Sequence, residues 1–323
     1  MKGFDKKFIN FPDYILGITK EIWENRGVDS LNHYYSDNII VRSPESIVIG
    51  NKSVIDATYA TLLEFPDREL LGEDVIWSGS PEEGMLSSHR ILSTATHLGE
   101  GSFGKPSGRK LVYRVIADCH AINNQINDEW LIRDQGAIVR QLGWEPKDYA
   151  LMKIKKENDL KKKIIPFSPD IDLLGPYIGN GNNNEWGLKY KEILNSIMNS
   201  QYFVIEKEYD RAVQTEYSGG ITGHSFKSVE NFWKNLRICF PNSKFEIHHI
   251  IGRDDKNMPP RAAIRWSLNG YHEGDGIFGK PSNSKVYVMG ASHVEFGPWG
   301  IRKEYSLYDE TVLWKQILLS KKG

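Results

Sequence analysis

Apolar positions recur along this chain with two periods, and each half of the chain passes from the longer to the shorter. In PDYILGITKEIWENRG, residues 12–27, Ile15, Ile18 and Ile22 lie three to four apart. That stripe predicts an amphipathic helix, with Gly27 placed as its C-terminal glycine. DSLNHYYS, 29–36, opens on capping residues and predicts a short second helix. NKSVIDATYATLLEF, 51–65, predicts a third, capped by Asn51 and stopped before Pro66. From residue 85 the period shortens to two. MLSSHRILSTATHL and KLVYRVIADCHAI alternate and are rich in β-branched residues, and QINDEWLIRDQGAIVRQL continues the run. Short helices followed by long strands predict an α+β fold, helices packed on one face of an antiparallel sheet.

The loop between the first two of these strands, HLGEGSFGKPSG at 97–108, is written again as HEGDGIFGKPSN at 272–283. The same shift of 175 places Lys52-Ser53-Val54 on Lys227-Ser228-Val229 and Phe65-Pro66 on Phe240-Pro241. It also places Arg90 on Arg265, Glu129 on Glu304, Asp134 on Asp309 and Gln141 on Gln316. A period this long means duplication of a whole domain. The expected organisation is a first copy over 1–150, a connector over 151–185 and a second copy over 186–323. The connector's lysine run reads as a solvated helix or linker, and its Pro- and Gly-rich remainder as connecting chain. GxGxFG also reads as a kinase phosphate loop, but a kinase needs one such loop followed by HRD and DFG, which do not follow here. Between two strands, the glycines read as a tight hairpin connection.

Composition narrows the class. The 323 residues are 40% hydrophobic and 26% charged, with a formal net charge of −1, those of a globular protein. A nucleic-acid or anionic-membrane partner leaves a basic footprint, so neither is expected. The first residues carry no apolar signal region, and no stretch approaches the ~20 apolar residues of a membrane span. Two cysteines, Cys119 and Cys239, suit a reducing cytoplasm. With no CxxC or HExxH, no metal and no cofactor is expected.

Candidate chemistry lies on the strands. Asp118 and His120 are two apart and share a face; His293 and Glu295 hold the same places in the second copy, with the order of acid and imidazole exchanged. Asp134 and its counterpart Asp309 sit in apolar surroundings, where a carboxylate needs a partner or shifts its pKa. Such pairs serve either acid–base chemistry or ordinary cross-strand bonding. Arg90 and Arg265 read as counter-ions to Glu129 and Glu304, or as pocket residues with Trp130 and Tyr305. His97 and His272 read as caps of the loop. His248 and His249 are adjacent, so on a strand they point to opposite faces.

These residues carry a resemblance. Three helices, FGKPSGRK leading into a strand and INDEWLIRDQGAIVRQLG resemble the SnoaL-like polyketide cyclases of the broader nuclear-transport-factor-two-like superfamily. The second copy departs, with Tyr305 for the tryptophan and no closing QLG. The resemblance implies cone-shaped units, each with a pocket between a curved sheet and its helices, and a cofactor-free aldol closure. By position it implies an acid–base Asp134 with His120 and Asp118 beside it, and in the second copy Asp309, Glu295 and His293. The implied activity is that of an acid–base enzyme on a small or medium carbonyl compound, of aldol, cyclase, dehydratase or isomerase type. Two alternatives stay open: a small-molecule-binding or scaffold protein, and a hydrolase in which Asp118 helps to activate water. A pseudo-dimer within the chain, its two sheets packed together, and further homodimerisation are also expected.

Overall fold

The computed structural model describes residues 1–320 and divides the chain into two compact units. The first comprises Met1–Arg133, Ala137–Trp144 and Phe167–Gly179; the second comprises Asp134–Gly136, Glu145–Pro166 and the chain from Asn180. The stretch expected to be a connector is therefore shared out. Its lysine-rich part is a helix of the second unit, with Tyr149, Ala150 and Ile154 turned inward and the lysines largely in solvent.

The first unit runs α1 (Phe11–Thr19), α2 (Leu31–Tyr34), β1 (Tyr35–Arg42), β2 (Ile47–Ile49), α3 (Asn51–Glu64), β3 (Glu69–Ser80), β4 (Gly84–Thr96), β5 (Lys110–Ile122), β6 (Gln125–Arg133) and α4 (Gln135–Gln141). The helix α5 (Pro146–Asp159) follows in the second unit. Helix α1 carries on through a π-helical turn, Lys20–Glu24, and the left-handed residue beyond it is Arg26, at φ 61°, rather than Gly27. At α3 the cap is Gly50, not Asn51, whose side chain instead donates to the Leu31 carbonyl at 3.1 Å. The last apolar run changes period within itself: after Arg133, QGAIVRQ is helix, burying Ala137, Ile138 and Val139. Three apolar residues in a row fit a buried strand or a buried helix equally, so the sequence pattern did not separate them.

The sheet order is β2-β1-β6-β5-β4-β3. All neighbours are antiparallel except β1 and β6, which run parallel, with Val41 opposite Glu129. The chain from β1 to β6 passes through α3 and four strands, long enough for the crossover a parallel pair requires.

The repeated loop closes the β4–β5 hairpin. Glu64, at the end of α3, accepts from the backbone N–H groups of Ser102 (2.9 Å) and Phe103 (2.8 Å), and Gly104 turns the chain at φ +90°. His97 Nδ1 lies 3.1 Å from Ser107 Oγ across the turn, and His272 Nδ1 lies 3.0 Å from Ser282 Oγ. In the second unit Cys239 stands where Glu64 does, its thiol accepting from the Ile277 and Phe278 amides. The loop's backbone donors are thus held by the protein's own helix end.

The second unit runs α6 (Glu185–Met198), α7 (Phe203–Glu208), β7 (Tyr209–Tyr217), β8 (Ile221–His224), α8 (Ser225–Cys239), β9 (Lys244–Arg253), β10 (Arg261–Tyr271), β11 (Lys285–Gly297), β12 (Gly300–Tyr308) and α9 (Glu310–Ser320). Its sheet, β8-β7-β12-β11-β10-β9, repeats the first in order and direction. Register is kept as well: Arg90 faces Ile116 and Asp118 faces Trp130, while Arg265 faces Ala291 and His293 faces Tyr305. The fold is an α+β unit in tandem duplication. No helix among the described residues is long and apolar enough to cross a membrane.

Asp309 accepts from the Thr311 and Val312 amides at 2.8 and 3.2 Å, the bonding of an N-cap at the start of α9. Replacing it by alanine is expected to lower stability by about 1 kcal/mol. Urea unfolding of the full chain checks this; an unchanged midpoint contradicts the capping role.

Candidate active site in the first unit

Strand parity decides what faces the helices. On β5 the inward residues are Val115, Ala117 and Cys119; on β6 they are Glu129, Leu131 and Arg133; on β4 they are His89 and Ile91. Helix α1 sends Ile15, Ile18 and Thr19 toward them, and Trp23 follows from the next turn. Helix α3 sends Val54, Ala57, Thr58 and Thr61, one helical face at spacings of three and four. Together with Tyr35, Arg68 and Leu70 they enclose a cavity of about 190 Å³.

Its wall is mainly apolar, with polar groups at defined points. Glu129 is buried, and Tyr35 donates to its Oε2 at 3.1 Å. Burial pushes the carboxyl up to about 7, the tyrosine hydrogen bond opposing. His89 is buried too. Desolvation, followed by the charge of Arg90, lowers its imidazole to about 3, so it is neutral at physiological pH. Its Nε2 has no hydrogen-bond partner. Arg68 and Arg133 lie where the lining comes from the β3 end and from the last residue of β6. Four residues of strand separate Glu129 from Arg133, about 13 Å. The hollow therefore has an acidic and a basic end.

The residues singled out from the sequence lie elsewhere. Asp118 and His120 do share a face of β5, but it is the face turned away from the cavity. His120 Nδ1 lies 2.6 Å from Asn127 Oδ1, and its ring is 4.7 Å from that of Tyr177, so Asp118 does not orient it. Arg90 pairs with Glu73 at 3.0 Å and not with Glu129, which projects from the opposite face. Trp130 faces the same way as Arg90, under the Arg42 guanidinium. In the second unit His293, Glu295, Arg265 and Tyr305 repeat this outward parity, with Glu295 paired to Lys303 at 3.3 Å. Asp134 follows directly after β6, outside the cavity lining, and its carboxylate accepts from the Gly219 and Gly220 amides at 2.8 and 2.9 Å. Asp309 is the helix cap described above.

The register explains the displacement. Facing residues of the β5–β6 hairpin that are fourteen apart are Ala117 and Leu131, both apolar. The spacing from His120 to Asp134 has the same length but is staggered along the hairpin. With Asp118 on the other face, no carboxylate pair for a water-activating hydrolase is assembled in the hollow among the described residues. The sequence pattern points to Glu129 only as a counter-ion, and carries no signal for His89, Arg68 or Arg133. The small residues Ala117 and Cys119, in a strand of larger ones, were the available sign of a hollow.

The second unit serves as an internal comparison. At the positions of Ala57, Thr58 and Ile91 it carries Phe232, Trp233 and Trp266, and Ile15 gives way to Tyr190. The ring of Trp266 occupies the space above Gly290, which replaces Val115. Glu304, the counterpart of Glu129, accepts from Tyr190 (2.8 Å), Tyr217 (2.7 Å) and Trp233 (3.1 Å). The same fold is here filled with side chains.

The architecture is thus a duplicated α+β unit whose first copy has an apolar hollow between sheet and helices, with the buried carboxyl of Glu129 in its lining. Residues 14–142 match the SnoaL-like polyketide cyclase family model. Among solved structures the chain is similar to IdmH of Streptomyces antibioticus, at 17% identity over 41% of this chain and 98% of that one, TM-score 0.36. It is similar also to a SnoaL-like polyketide cyclase of Agrobacterium tumefaciens, at 18% identity over 41% of this chain and 96% of that one, TM-score 0.33. A search of curated protein sequences finds no match.

Proposed function

We propose that the first unit is a cofactor-independent acid–base enzyme acting on a small or medium apolar carbonyl compound. The observation that carries this reading is Glu129, a carboxyl held near neutrality by burial inside the cavity. A group with that value can both take and return a proton at physiological pH. In the proposed step, Glu129 as carboxylate removes the proton α to the substrate carbonyl. The electron pair moves onto the carbonyl oxygen, and His89, neutral with its proton on Nε2, donates a hydrogen bond to that oxygen. Protonated Glu129 then returns the proton at carbon or oxygen, as an isomerisation, dehydration or aldol step requires. Tyr35 holds the carboxyl in place.

A second reading, binding without turnover, is favoured by Glu304. There the same carboxyl persists in a unit whose hollow is filled, so it serves packing alone. Exchange of α-protons for deuterium separates the two. The reading predicts that the protein accelerates such exchange in a carbonyl compound that it binds, followed by proton NMR in heavy water. Bound ligand with no accelerated exchange across a panel of ketones and aldehydes supports binding alone.

A further inference from the structure

The basic end of the cavity has no role in the step above, and it is costly to build. Arg68 is 5% exposed; its Nε donates to Ser93 Oγ at 3.3 Å, and its guanidinium also bonds the Tyr113 hydroxyl. Arg133 is half-buried, and its Nε is out of solvent with no hydrogen-bond partner. Among the described residues neither guanidinium forms an ion pair, and for the buried Arg68 a charge without a counter-ion carries a large penalty. Desolvation lowers the pKa of Arg68, and the like charge of Arg133 adds to that. Tyr113 reports the same field. Burial alone would raise its phenol, yet Arg68 and Arg133 bring it below the ordinary tyrosine value. Even a phenolate there would offset only one of two positive charges.

The fold does not require these arginines. In the second unit, with the same strand order and register, Arg68 is replaced by Ser243 and Arg133 by Tyr308. The charges are absent where the hollow is filled and present where it is open. Guanidinium groups at the end of an apolar cavity bind oxyanions through charge-assisted, often forked hydrogen bonds.

We infer that the pocket takes an apolar molecule with a terminal oxyanion, a carboxylate or a phosphate, gripped by Arg68 and Arg133, while its far end lies against Glu129. That the far end is a carbonyl rests on the proposed function above; the oxyanion site does not.

Isothermal titration calorimetry on the full chain tests the site with octanoate, octyl phosphate and octanamide. At about pH 6 Glu129 is largely neutral and a simple carboxylate is ionised. Octanoate or octyl phosphate is expected to bind at least about tenfold tighter than octanamide, as charge-assisted bonds are the stronger kind. The tighter of the two anions identifies the oxyanion. R133Q and R68Q are expected to bring the anions to the level of octanamide without weakening octanamide. Equal affinity for anion and amide in the unaltered protein, or binding of none of the three, overturns the inference, whatever the arginine variants do. E129Q keeps the anion preference if the site is as described. Preference retained with no α-proton exchange in the unaltered protein refutes the catalytic reading alone.

Discussion

E129Q lowers the rate of α-proton exchange by about 10²–10⁴-fold, the usual contribution of a placed general base, while the chain unfolds at the same urea concentration or a higher one. The amide keeps the shape of the carboxyl and can still bond to Tyr35, so the change removes the titrating proton and little else. A carboxyl buried at a cost in desolvation also explains why stability is not expected to fall: the neutral amide escapes that cost. The result is read by NMR exchange rates with circular dichroism as the folding control. A variant that exchanges protons at the unaltered rate removes Glu129 from the mechanism. Loss of the same magnitude in D134N, with E129Q unaffected, would return the chemistry to the residue that the family resemblance first implied.

The second large effect comes from rewriting the first unit in the manner of the second. T58W introduces on α3 the side chain that Trp233 carries on α8, in a lining already ordered by Val54 and Thr61. The indole has nowhere to go except the cavity. Octanoate and octanamide binding should both fall below detection, and exchange with them. Overpacking typically costs 1–3 kcal/mol, partly offset here because the ring occupies a hollow rather than a filled core. Calorimetric titration with a urea melt on the same sample measures both. Undiminished binding would show that ligands are held elsewhere.

Much of the architecture was legible in the sequence. The fixed offset of 175 announced the duplication, and the change of period placed β4 and β5 to within two residues. What failed is instructive. The β1, β2 and β3 strands, whose burial alternates imperfectly, gave no clear signal. The ending IRDQGAIVRQ read as strand because its apolar residues are contiguous, and the strand–helix junction that makes Asp134 a terminal residue was hidden with it. The site was missed through parity. Alternation groups Asp118 with His120 and Cys119 with Ala117 but does not say which group faces the helices; that is set by tertiary packing. The polar pair drew attention, yet the cavity belongs to the small apolar residues, and its carboxyl lies opposite Cys119 at Glu129. His89, Arg68 and Arg133 lie on three different strands or their approaches, and only the folded sheet brings them to one hollow.

The buried carboxyl also sets a pH dependence. Its folded value of about 7 lies above the ordinary 4.5, so the native chain keeps a proton that the unfolded chain has released. Glu129 leaves stability undiminished below about 4.5, and stability is lost as pH rises through about 7, by an amount on the order of 3 kcal/mol. The direct measurement is a carbon-13 NMR titration of the glutamate side-chain carboxyls, with E129Q identifying the signal by its disappearance. The account predicts a midpoint near 7 for that signal. A midpoint in the ordinary range of 4 to 5 would contradict it.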